Sequence, residues 1–186
     1  MRRCGSWSVV RRTRMDDLAA RVREAALLEG EFVLSSGKKS RFYVDKYLFS
    51  TDPELLGEIA RRLVGRIPPG VRRLAGVELG AVPLVVAASL QSGLPYIIVR
   101  RSGKEYGTGR EVEGRLREGE DVVLLEDVVT TGAQALAAAE KLSALGCQVE
   151  KIVAVLDRRE RPAATLGRFR FESLLKMSDL GVDMAV

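Results

Sequence analysis

Residues 121–136 read D-V-V-L-L-E-D-V-V-T-T-G-A-Q-A-L, and this stretch decides the fold. Val122, Val123, Leu124 and Leu125 form an unbroken aliphatic run, the pattern of a strand buried on both faces of a parallel sheet. Two acids, Glu126 and Asp127, are expected to end it. Thr130, Thr131 and Gly132 then make a turn, and Ala135, Leu136, Ala139 and Leu142 fall at helical spacing until Gly146. A strand, a hydroxyl-and-glycine turn and a helix start gather backbone N–H groups and the positive end of a helix dipole around one small space. Such a space suits a phosphate.

The turn carries neither familiar nucleotide motif. No Gly-x-x-x-x-Gly-Lys-Ser/Thr occurs and no Gly-x-Gly-x-x-Gly follows a strand, so triphosphate and dinucleotide readings lack their marker. The acids are more informative. Carboxylates beside a phosphate cradle repel the phosphate unless they serve sugar hydroxyls or a magnesium ion. A ligand with a phosphate and a free diol on one ribose would use both parts.

These residues resemble a known family. V-V-L-L-E-D-V-V-T-T-G-A is similar to the phosphoribosyl diphosphate (PRPP) signature of the type I phosphoribosyltransferases. The resemblance implies an α/β fold with a central parallel sheet flanked by helices and a small hood. It implies that Glu126 and Asp127 bind the ribose 2- and 3-hydroxyls, with Asp127 also among the catalytic residues. By the same resemblance Thr130, Thr131, Gly132 and Ala133 hold the 5-phosphate, and Val128 and Val129 complete the PRPP-binding segment.

Upstream, Asp16 or Asp17 can cap a helix whose apolar positions Leu18, Val22, Ala25, Ala26 and Leu28 recur at helical spacing up to Gly30. Strand-like runs at 31–34 and 41–44 enclose a basic turn, which alone predicts a β-hairpin. Beside the PRPP signature this segment resembles the orotate phosphoribosyltransferase pattern F-x-L-x-S-G-x-x-S-x-x-Y-x-D, through Phe32, Leu34, Ser36, Gly37, Ser40, Tyr43 and Asp45. That implies a hood over the base, with Tyr43 and Val44 contacting orotate and Thr130 also close to it. Some members have Lys or Arg where this chain has Ser35, which leaves Lys38 or Lys39 to compensate.

Asp52-Pro53 opens a second helix, since Asp caps and Pro suits the first turn; Pro68-Pro69-Gly70 is expected to end it. Residues 73–77 read as the first sheet strand. The following G-V-E-L-G-A-V-P resembles the family's diphosphate-binding loop, where Gly80 either lets the backbone approach PRPP or permits a tight turn. Residues 94–99 read as another strand. After it comes a glycine-rich polar loop too long for an ordinary connection. Arg100, Arg101, Lys104 and Arg110 lie in it, and a cation cluster suits a diphosphate. It resembles the family's flexible catalytic loop, with Arg101 in place of the usual Lys and Tyr106 where bacterial members often have His. The resemblance assigns catalytic roles to Arg100, Arg101, Lys104 and Tyr106, with Arg100, Arg101 and Lys104 on PRPP, and implies a homodimer in which this loop reaches the neighbouring site.

Residues 149–156 read as a further strand, followed by Asp157, Arg158, Arg159 and Glu160. This resembles the family's D-R-x-E, which implies that Arg158 pairs with the orotate carboxylate; a salt-bridge or helix-dipole role is the competing reading. F-E-S-L-L-K-M-S-D-L resembles the closing segment, a last strand and short helix that complete the hood. The hood is thus expected from about 15–48 and 168–186.

Composition bounds the remaining choices. The chain has 186 residues, enough for one domain with a sizeable core and short for two. The net charge of +5 resides in residues 1–14, where Arg2, Arg3, Arg11, Arg12 and Arg14 meet no acid. The rest, read as a single domain over 15–186, balances 25 basic against 25 acidic residues, so global charge does not argue for nucleic acid. Residues 1–14 are expected to be a disordered extension, an RNA- or partner-binding arm being the alternative. The chain has no histidine, which removes Ser-His-Asp triads and His-ligated metals, and two cysteines imply no disulfide framework. The longest apolar stretch, 81–90, contains Pro83 and is too short for a bilayer. The resemblance implies a cytoplasmic enzyme, with Mg2+ bound mainly through substrate as its cofactor, and orotate and PRPP as its substrates. The rivals are a phosphoribosyltransferase for another base and a PRPP-sensing regulator that binds nucleic acid.

Overall fold

The computed structural model describes residues 15–33, 37, 39–101 and 111–182. The readings made for Lys104, Tyr106, Arg110, Ser35, Lys38 and residues 1–14 lie outside these. In chain order the elements are α1 (Met15–Ala26), β1 (Leu27–Val33), β2 (Lys39–Val44), α2 (Lys46–Ser50), α3 (Pro53–Val64), β3 (Arg73–Val77), α4 (Val82–Ser92), β4 (Tyr96–Val99) and β5 (Val112–Glu113). Then follow β6 (Asp121–Val129), α5 (Ala133–Ala144), β7 (Gln148–Asp157), β8 (Thr165–Leu166), β9 (Phe169–Lys176) and a 3-10 turn, Met177–Leu180.

The large sheet has the strand order β5-β4-β3-β6-β7-β9-β8, and among the described residues β1 pairs only with β2. Strands β4, β3, β6, β7 and β9 run parallel, and the short edges β5 and β8 are antiparallel. This is the expected α/β architecture. Along β6, side chains alternate between the two faces. Val123 and Leu125 join a core with Leu18, Ile59, Leu63 and Leu84 from α1, α3 and α4. Val122 and Leu124 join a second core with Ala135, Ala139 and Leu142 from α5. The unbroken aliphatic run therefore fills both layers.

Several boundaries differ from the sequence reading. Helix α1 stops at Ala26, and Leu28 and Gly30 lie in a strand, because Leu27↔Val44 and Leu28↔Tyr43 pair directly with β2. Helix α2 was not anticipated. Asp45 caps it by accepting a hydrogen bond from the Tyr47 N–H at 3.0 Å, and Phe49 and Ser50 bury its far end. Helix α3 begins as expected, Asp52 accepting from the Leu55 N–H at 2.7 Å, but ends at Val64, before the prolines.

The acids do not end the central strand. Strand β6 continues to Val129 because β7 pairs with it throughout, Glu126 opposite Ala154 and Val129 opposite Asp157. Strand β5, too short for a periodicity signal, returns the long loop onto β4, with the Arg100 N–H donating to the Glu111 carbonyl at 2.9 Å. The closing segment divides: β9 lies in the large sheet beside β7, whereas the 3-10 turn meets α1, the Arg23 guanidinium donating to the Leu180 carbonyl at 2.9 Å. Among the described residues no helix is long and apolar enough to cross a membrane.

Candidate functional site

In open α/β sheets ligands bind beyond the carboxyl ends of the strands. Here those of β3, β6 and β7 carry Glu78, Glu126, Asp127 and Asp157. Glu126 and Asp127 are 5% and 3% exposed, and their side chains interact with each other at this strand end. The Glu126 Oε1 accepts from the Asp127 N–H at 3.1 Å, while its Oε2 is buried without a hydrogen-bond partner. Burial first, then the Asp127 charge, push the Glu126 carboxyl up to about 8. The Asp127 Oδ1 accepts from the Val128 N–H at 2.6 Å, and its Oδ2 meets the Lys46 ammonium at 2.7 Å.

Lys46 is the residue that sequence reasoning missed. It opens α2, directly after Asp45, and its only sequence signal was that adjacency to the Y-V-D stretch. Its position also explains Gly80. A Cβ there would overlap the Asp127 carboxylate and lie 2.9 Å from the Lys46 Nζ, so a side chain at 80 would displace the ion pair. Glycine is required for close approach by protein atoms, whatever ligand the loop also meets.

The turn that follows is open. Thr130, Thr131 and Ala133 are exposed, and Gly132, at φ 84°, starts α5 with no side-chain cap, leaving the first-turn amides directed outward. The Thr131 hydroxyl accepts from the Ala133 N–H at 3.3 Å. Val129 is buried and Val128 partly so, both within β6 rather than in the turn.

Arg158 and Arg159 separate into two roles. The Arg159 guanidinium bonds both oxygens of buried Asp157, at 2.9 and 2.8 Å, and stacks over the Phe171 ring at 4.3 Å. The salt bridge belongs to Arg159. Arg158 is anchored by its backbone N–H on the Val129 carbonyl at 2.7 Å, its Nε is buried without a partner, and burial pulls its guanidinium down from its usual range. The Tyr43 phenol acts on it in the opposite sense, so strand β2 and this arginine are electrostatic neighbours. Val44 is buried, and Tyr43, 40% exposed, packs on Phe32 with ring centres 5.5 Å apart.

The two arginines at the loop base hold acids and an amide. Arg100 reaches Glu113 at 3.2 Å and Glu78 at 3.9 Å. The Arg101 N–H donates to Glu78 at 2.7 Å, and its guanidinium to the Gln134 amide oxygen at 2.5 Å. Lys141 clasps both ends of the loop, donating to the Arg100 carbonyl at 2.9 Å and pairing with Glu111 at 3.4 Å. A cavity of about 390 Å³ between the loop base and α5 is lined by Arg100, Arg101, Gln134 and Lys141 over Val77 and Ala138. Glu126, Asp127, Gly80 and the 130–133 turn thus gather at one end of the sheet, with Arg158 after β7 on one side and Arg101 after β4 on the other, in the order β4-β3-β6-β7.

No family model matches the chain. It is 46% identical over 171 residues to the orotate phosphoribosyltransferase of Haloquadratum walsbyi, covering 90% of this chain and 93% of that one. The fold superposes on the Aeropyrum pernix orotate phosphoribosyltransferase with a TM-score of 0.76 at 28% identity, covering 88% of this chain and 95% of that one. The Mycobacterium tuberculosis H37Rv enzyme in complex with PRPP gives 0.70 at 28% identity, with 90% and 99% covered. At such identity, over nearly the whole of both sequences, the chain belongs to the orotate phosphoribosyltransferase family.

Proposed function

We propose that this chain transfers the phosphoribosyl group of PRPP to orotate, giving orotidine 5-monophosphate and diphosphate in pyrimidine synthesis. The observation that carries the reading is the buried acid pair, with one Glu126 oxygen lacking a partner, immediately before the uncapped start of α5. A ribose diol supplies two donors for those carboxylates, and the α5 amides with Thr130 and Thr131 suit the 5-phosphate. Arg158 brings an unsatisfied planar donor, the group that matches the orotate carboxylate, while Tyr43 and Val44 cover the ring.

In the transfer, the bond from ribose C1 to a diphosphate oxygen opens as the bond to orotate N1 forms, and the N1 proton leaves to solvent. Charge moves onto diphosphate, so the protein chiefly positions the reactants and stabilises the leaving group. Arg100, Arg101 and Lys104 supply the cations, and Tyr106 acts beside them. On this reading loop 102–110 serves the neighbouring site of a homodimer in the cytoplasm, an assembly that sedimentation would test.

Magnesium fits the residues present. The donors are hard carboxylate oxygens, one of them free, which is what this ion takes. Among the described residues no three acids stand together as a cage, so Glu126 and Asp127 would hold Mg2+ jointly with ribose and diphosphate oxygens. When bound it would neutralise diphosphate charge.

Orotate consumption, followed by its ultraviolet absorbance with PRPP and Mg2+, tests the proposal in the wild type and in Lys104→Ala. Turnover in the wild type and its loss in the variant are expected. A folded wild type that binds PRPP but leaves orotate unchanged would reassign the base.

A further inference from the structure

Lys46 has no role in the chemistry described so far. Its ammonium sits 2.7 Å from the Asp127 Oδ2, against the bare face of Gly80, with its side chain 27% exposed. Helix α2 does not need this contact to fold: Asp45 caps it, Phe49 and Ser50 anchor it, and the Asp45 N–H is bonded to the Ala26 carbonyl at 2.9 Å. The cation is therefore spent on the acid pair. Without it Asp127, 3% exposed and adjacent to Glu126, would be left with an uncompensated buried charge and with no partner to hold its Oδ2 in place. A rotated Asp127 is a poorer acceptor for a ribose hydroxyl. Lys46 also stands two residues beyond Val44, so the hood backbone expected over orotate and the acid pair expected under ribose are joined through one side chain.

We infer that Lys46 is a positioning residue for PRPP: its ammonium holds the Asp127 carboxylate in place and couples the hood to the ribose site. This deepens the proposed function and rests on Asp127 being the ribose acceptor. The charged groups that face Asp127 are Glu126 of the same strand and Lys46 of α2. If Lys46 acts through the Asp127 side chain, its loss changes nothing further once that residue is asparagine.

The test is Mg–PRPP binding by titration calorimetry without orotate, for the wild type, Lys46→Met, Lys46→Arg, Asp127→Asn and the Lys46→Met/Asp127→Asn double variant. Lys46→Met is expected to weaken PRPP about tenfold and Lys46→Arg no more than about threefold, because the arginine keeps the cation. The double variant is expected to bind as Asp127→Asn does, the mark of two residues acting as one unit. Because it also removes the buried charge, it folds even where Lys46→Met does not, and its comparison with Asp127→Asn then decides alone. Additive losses would show that Lys46 touches PRPP itself and would overturn the inference, as would wild-type affinity in Lys46→Met. A folded wild type that binds no PRPP would remove the proposed function along with it.

Discussion

Strand β6 has charged groups at both ends, and the two ends treat them differently. At the amino end Arg73 and Glu120 form a two-point pair, Nε to Oε2 at 2.5 Å and Nη2 to Oε1 at 2.8 Å, and the Arg117 N–H adds a third bond at 3.3 Å. Each partner favours the other's ionised form, holding the Glu120 carboxyl below and the Arg73 guanidinium above its usual range. At the carboxyl end burial wins. Glu126 is pushed up, Arg158 is pulled down, and both retain a buried polar atom without a partner. Glu120 and Arg73 are satisfied within the fold, whereas Glu126 and Arg158 are left short of partners. On the proposed function, the amino end serves stability and the carboxyl end serves substrate.

The sharpest way to break that contrast is at Asp127. Asp127→Asn removes the charge but keeps the shape, and roughly a hundredfold loss in kcat/KM, on the order of 3 kcal/mol in barrier, is expected with a thermal midpoint within a few degrees of wild type. Large unfolding without a specific catalytic loss would make the carboxyl end structural. Glu120→Ala is the converse: Arg73, 7% exposed, would lose its partner, and about 3 kcal/mol of stability should go, read by urea unfolding. Here kcat/KM per folded molecule should stay at the wild-type value.

The adjacent arginines offer the same comparison within two residues. Arg158→Ala should raise the orotate KM about tenfold or more, corresponding to a lost hydrogen bond between charged groups, with little change in melting. Arg159→Ala should do the opposite. Asp157, 2% exposed, would lose both its guanidinium bonds, and about 2 kcal/mol of stability should be lost with orotate KM unchanged. If both variants change the same quantity, the division of labour fails.

Much of this was legible in the sequence because the signals were local. The aliphatic run of β6, the Asp52-Pro53 helix start and the Thr-Thr-Gly turn each specify their structure within a few residues. The acid pair announced itself by standing where a phosphate cradle disfavours it. What escaped depended on distant partners. Helix α1 ends at Ala26 only because β2 captures Leu27, and β6 runs past its acids only because β7 pairs to its end. Lys46 was invisible as a site residue because its meaning lies in Asp127 and Gly80, 81 and 34 positions away by residue number. The choice between Arg158 and Arg159 for the salt bridge likewise needed the geometry of the β7 end.

The smallest expected effect tests why the carboxyl end is costly to leave empty. In the folded chain Glu126 holds its proton up to about 8, from an ordinary value of 4.5. Between those two values the folded state binds a proton that the unfolded state has released. The stability this contributes is complete below pH 4.5 and is lost as pH rises through about 8, after which it changes no further. Glu126→Gln has no such proton. Its stability relative to wild type should therefore improve with pH, by about 1 kcal/mol between pH 7 and 8 as one proton's linkage allows, and then level off, as read from denaturant unfolding at a series of pH values. A ribose diol donating to the carboxylate favours the ionised form, so Mg–PRPP binding near pH 7 should release protons from the wild type and fewer from Glu126→Gln. Calorimetry in buffers of different ionisation enthalpy measures that release. Equal release from both would place the proton on another group and return Glu126 to the fold.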